Sequence, residues 1–122
     1  AEHMQQTFAE VIEGMGGKID FFIDVGYPCL LNDEPLTLRM RQYAEDYLGS
    51  ENVVELPVRL TEADFSYYSQ ELPACFYRLG TGNVAKGITS PVHSDTFDID
   101  EEALKVGAGL MAWLAVEELK SF

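Results

Sequence analysis

Leu72-Pro73-Ala74-Cys75-Phe76-Tyr77-Arg78-Leu79-Gly80 is the stretch on which the fold turns. Pro73 cannot continue a helix, because it lacks an N–H and its ring clashes with the preceding turn. The apolar and aromatic residues that follow read as a strand closed by Gly80. Upstream, Phe65, Tyr68 and Leu72 mark the inward stripe of a helix starting at Thr61, where Thr61 and Asp64 have capping-box spacing with an aspartate in place of the usual Glu or Gln. Downstream, residues 81–97 have no periodicity and include Gly82, Gly87 and Pro91, so they read as a long loop. A last helix is predicted over about residues 99–119, with Asp98 and Glu101 at capping spacing and Asp100, Glu101 and Glu102 at its positive dipole end. From Val106 to Val116 it is apolar on nearly every face, and Gly107 and Gly109 permit close approach. Such a helix has to be covered on several sides.

Further outward, Val53, Val54 and Leu56 predict a short strand ended by Pro57. Leu36, Met40, Tyr43, Ala44, Tyr47 and Leu48 make one face of a helix that begins near Pro35 and ends at Gly49. Ile19, Phe21, Ile23 and Val25 alternate with Asp20, Phe22 and Asp24, the period of a strand. Met4, Phe8, Val11, Ile12 and Met15 form a helical stripe stopped by Gly16-Gly17. That stripe opens almost at residue 1, without a good N-cap, so the helix is expected to be part of something longer. The order α-β-α-β-α-β-α indicates the α/β class, and the turn around Leu30 to Pro35 is the best boundary.

The 122 residues can form one core. Eight Lys and Arg against 21 Asp and Glu give a net charge of −13, which repels phosphate backbones and anionic lipid. Neither a nucleic-acid nor a membrane partner is therefore expected. Cys29 and Cys75 sit in apolar surroundings without CxxC spacing and read as buried, reduced thiols of a cytoplasmic protein, with a single disulfide between them as the alternative.

His93 is the residue best suited to chemistry. It lies in Ser90-Pro91-Val92-His93-Ser94-Asp95, just before the last helix, where an imidazole could ligate a metal, shuttle a proton or be merely solvated. No second histidine or cysteine stands at ligand spacing. Asp95, Asp98 and Asp100 are near in sequence, with capping and turn roles better supported. His3 is expected on the outer side of the first helix, facing water.

Thr61-Glu62-Ala63-Asp64-Phe65-Ser66-Tyr67-Tyr68, Leu72 to Gly80, Pro91-Val92-His93-Ser94, and Phe97 with Asp100-Glu101 and Ala103-Leu104 together resemble the C-terminal end of the aminoacylase and carboxypeptidase metallopeptidase family, in its N-acyl-amino-acid (hippurate) amidohydrolase branch. The resemblance covers essentially the whole chain. It implies that residues 1–31 are the last helix and strand of an α+β lid and dimerisation domain, and that residues 32–122 are the C-terminal segment of a zinc-peptidase-like α/β catalytic domain. It implies a homo-oligomer acting on a small N-acyl-amino acid or peptide-like amide through two divalent metal ions (zinc or similar), with His93 binding one of them. The sequence departs from the family at Ala63, where a glutamate usually precedes Asp64; here the glutamate is Glu62. The family's other ligands and its general-base glutamate have no counterpart among these residues, so the chain alone is expected to be inactive. Two other readings stay open: a non-catalytic oligomerising domain, and a small acidic binding module.

Overall fold

The computed structural model describes residues 2–58 and 63–121. Among these described residues are four helices: α1 (Glu2–Gly14), α2 (Glu34–Leu48), α3 (Phe65–Glu71) and α4 (Glu102–Leu119). Short 3₁₀ turns lie at Ser50–Asn52 and Val84–Lys86.

Each helix end has a local cause. After α1, Gly16 takes φ +76°, and the N–H groups of Gly16 and Gly17 reach back to the carbonyls of Glu13 and Ile12. This is a Schellman closure, which glycine enters without steric cost. Asp33 caps α2: its carboxylate accepts from the Leu36 N–H at 2.8 Å, and Pro35 sits in the first turn, where a missing N–H costs nothing. Gly49 at φ +87° ends that helix. The capping-box expectation for α3 rests partly on Thr61, which lies outside the described residues. Asp64, at the helix start, makes no side-chain cap bond.

The three segments expected as strands (residues 19–25, 53–56 and 75–80) form no ladder among the described residues. A strand exists as secondary structure only when a neighbouring backbone takes its N–H and C=O groups. Here a side chain supplies part of that role. The Asn32 amide accepts from the Phe76 N–H at 2.8 Å and donates to the Phe76 carbonyl at 2.9 Å, while the Asp33 N–H donates to the Ala74 carbonyl at 2.9 Å. The period-two pattern survives in the burial: residues 75, 77, 79, 81 and 83 are half-buried, whereas 76, 78, 80 and 82 are exposed.

α2 and α4 pack antiparallel. Arg39 grips Glu118 with two bonds of 3.0 and 2.6 Å, Trp113 Nε1 donates to the Tyr43 carbonyl at 3.0 Å, and the Tyr47 and Trp113 rings stand 5.9 Å apart. Tyr47 also lies directly over Gly109, where an added Cβ would run into its hydroxyl. The 75–80 segment lies along another side of α4, with the Tyr77 hydroxyl 3.7 Å from Met111 Sδ and Leu79 against Gly107. Both helix glycines are therefore sites of close approach, as their positions suggest.

Little of the apolar surface is sealed. Among the described residues only Ala74, Leu110 and Leu114 are buried hydrophobics. The accessible surface is 9971 Å² for 13.6 kDa, against about 6,600 Å² for a compact monomer of that mass. α1 uses its stripe sparingly: Phe8 meets the Phe21 ring at 5.1 Å, yet Met15 is 80% exposed. Cys29 is exposed rather than buried, Cys75 is half-buried, and both are free thiols. Among the described residues no helix is long and apolar enough to cross a membrane.

Candidate functional site

The loop between the 75–80 segment and α4 divides into two turns. In the first, Asn83 and Ile88 exchange both backbone hydrogen bonds, at 2.8 and 2.9 Å, around Val84–Lys86. Gly87 takes φ +74° there, and the Asn83 side chain accepts from the Lys86 N–H at 3.2 Å. In the second turn, the Ser90 and Thr96 hydroxyls pair at 2.8 Å, Ser94 Oγ donates to the Pro91 carbonyl at 2.8 Å, and the Phe97 N–H reaches the Ser94 carbonyl at 3.2 Å. His93 sits at the apex with φ +65° and an exposed side chain. Non-glycine residues rarely occupy that region, and histidine is among those that do so more readily.

The loop closes at Asp100. Its N–H donates to the Thr81 carbonyl at 2.8 Å. Its carboxylate takes Lys86 Nζ at 2.6 Å on one oxygen and Asn83 Nδ2 at 2.5 Å on the other, and also accepts from the Glu102 N–H at 3.3 Å. The Lys86 ammonium, then the Asn83 amide, hold the Asp100 carboxyl well below its ordinary value, at about 2. The same contact raises Lys86. α4 thus starts at Glu102 rather than near residue 99, and its first turn is served by Asp100 rather than Asp98. Asp98 instead accepts from the adjacent Ile99 N–H at 2.8 Å. The residues of this clamp were half legible. Asp100 stood out as a helix-start acid, and Asn83 followed by Gly87 is a turn signal. The pairing of Lys86 with a residue 14 positions away has no sequence signature.

One imidazole is fewer than the three protein ligands a catalytic zinc ordinarily has. Among the described residues no group of three or more His, Cys, Asp or Glu is placed to hold a metal ion. These residues do not fit a complete metal centre by themselves. Asp100 is committed to Lys86 and Asn83, and His3 is exposed on α1. Two shallow surface depressions, one along residues 69–74 beside Leu31 and Asn32 and one beside Lys86 and Asp98–Glu102, are lined without His93.

The sequence profile of peptidase family M20/M25/M40 matches residues 5–117. The chain belongs to this family. A relative from Arabidopsis thaliana, IAA-amino acid hydrolase ILR1-like 5, is 34% identical across 97% of the chain. Thermostable carboxypeptidase 1 of Saccharolobus solfataricus is 36% identical across 95%. IAA-amino acid hydrolase ILR1-like 4 of Arabidopsis thaliana is 36% identical across 76%. The chain spans 29% of the length of the first two relatives and 21% of the third. No solved structure gives a significant match. These relatives are named as hydrolases of amino-acid conjugates and as a carboxypeptidase.

Proposed function

We propose that this chain is a C-terminal part of a metal-dependent M20 amidohydrolase that cleaves N-acyl-amino acids or peptide-like amides, and that His93 is its contribution to a metal centre completed by residues elsewhere in the whole protein. The observation that carries this reading is the near-complete coverage of the chain by relatives named as amino-acid-conjugate hydrolases and carboxypeptidases. The backbone at His93 supports it: a left-handed residue held in a hydrogen-bonded turn is a conformation that the surroundings must maintain. In the whole protein, residues 1–31 belong to a lid and residues 32–122 to an α/β catalytic domain, with the 75–80 segment completing its ladder there. The exposed apolar faces support a homo-oligomer. No catalytic step is assigned to the residues of this chain alone.

The test is a chimera in which this chain replaces the matching segment of thermostable carboxypeptidase 1. The expected result is chelator-sensitive release of glycine from benzoylglycine, reduced at least about 100-fold by His93→Ala. That threshold is set by the loss typical of groups that merely orient a metal ligand. A chimera that hydrolyses equally well with His93→Ala, or after complete metal removal, sinks the proposal.

A further inference from the structure

We infer that Asp100 is a positioning residue that sets the place of His93 by clamping shut the neck of the loop that carries it. The loop leaves the 75–80 segment at Thr81 and rejoins the helical body at Asp100, and one residue ties both ends. The Asp100 backbone holds Thr81, and its carboxylate holds Asn83 and Lys86. One held side chain opens the first turn and the other ends its 3₁₀ segment, so the carboxylate fixes that turn against the start of α4. The His93 turn hangs between these anchored points. Its internal bonds (Ser90 with Thr96, Ser94 with Pro91, Phe97 with Ser94) shape the turn without tying it to any helix. The clamp therefore supplies an orientation that the local bonds cannot supply. Both bonds end on an ionised carboxylate, which makes them charge-assisted and stronger than neutral hydrogen bonds.

This inference rests on the His93 reading for its catalytic meaning, but its test uses no metal. The chain has two histidines and one tryptophan, each in a different place. His93 reports the loop, His3 on exposed α1 serves as an internal reference, and Trp113 between α2 and α4 reports the helical body. The measurement is the imidazole proton NMR resonance of each histidine in the 122-residue chain at fixed pH, with amide hydrogen exchange at Asn83 and Ile88 and Trp113 emission alongside. Asp100→Ala is expected to move the His93 resonance, leave His3 in place, and speed exchange at both amides at least about tenfold, as local opening does. Asp100→Asn, which keeps one acceptor oxygen, should recover part of the shift. Asp100→Ala also removes an acceptor from α4, so Lys86→Met, which leaves the α4 N–H groups untouched, serves as the second variant and should move His93 with Trp113 emission unchanged. An unmoved His93 resonance in both Asp100→Ala and Lys86→Met overturns the inference. So does a His93 shift seen only when Trp113 emission shifts too, with Lys86→Met silent. Loss of the chimera's dependence on His93 would remove the ligand reading and leave the clamp intact, so the two failures are distinguishable.

Discussion

At the scale of single residues, two polar side chains act at a distance in sequence. Asp100 is held at about 2 from an ordinary 3.8, by the Lys86 bond first and the Asn83 bond second. Its folded value is depressed, so its contribution to stability is complete above the unfolded value. It disappears as pH falls from about 3.8 through about 2. Melting temperature should therefore drop across that window, and Asp100→Asn should flatten the drop. Glu118, lowered by its hydrogen bond to Arg39, keeps a residual slope of the same sign in the variant. A pH–melting profile unchanged by Asp100→Asn would contradict this assignment. Asn32 is the second case. Asn32→Ala removes both bonds to Phe76 and should cost about 1–3 kcal/mol in urea unfolding followed by Trp113 emission, at the usual net worth of two hydrogen bonds. Asn32→Asp keeps the acceptor and loses the donor, so it should fall between the two.

At the scale of elements, α2 meets α4 along a row of contacts: Arg39 with Glu118, Tyr43 with Trp113, and Tyr47 with Gly109. The α2 stripe was visible at helical spacing, and Gly109 was visible as a place for close approach. Which aromatic occupied it was not, because a glycine announces room without naming the guest. Two effects compete in Gly109→Ala. Alanine favours the helix by about 1 kcal/mol, whereas displacing Tyr47 from its place over the helix costs about 1–3 kcal/mol, as overpacking does. The variant is expected to be less stable by about 1 kcal/mol, the packing loss being the larger. In a Tyr47→Phe background, which removes the obstructing hydroxyl, the penalty should shrink by at least half in a double-mutant cycle. Equal penalties in both backgrounds would show that the hydroxyl is not the obstacle. The expected strands do not form among the described residues; only the alternation survives, in the burial of residues 75–83, since alternation belongs to one segment whereas a ladder needs its neighbour.

At the scale of the whole molecule, the helices and their caps leave an accessible surface roughly half again that of a compact monomer. Phe22 at 87%, Val25 at 79% and Leu119 at 73% exposure show that the open apolar area is spread over both ends of the chain. The all-round apolar α4 announced this in the sequence: one face meets α2, another meets Tyr77 and Leu79, and Leu104 and Val116 stay open. At tens of micromolar the chain should bind an apolar dye strongly and sediment above its monomer mass, with the effect weakening as the chain is diluted. A sharp monomer boundary at every concentration, with no dye binding, would mean that these faces close on one another in solution. The family was legible from an ordered series of short motifs. Of the proposed metal centre only His93 could be named from the sequence, and no group of three or more candidate ligands is gathered among the described residues.

The amide of Asn32 works as an indexing pin. It engages the main chain at one notch, Phe76, and an advance of a single residue would turn Cys75, Tyr77 and Leu79 outward and bring Phe76, Arg78 and Gly80 to face α4. Because the same segment leads directly into Thr81, where the histidine loop departs, an error at that notch would carry through to the loop's starting point.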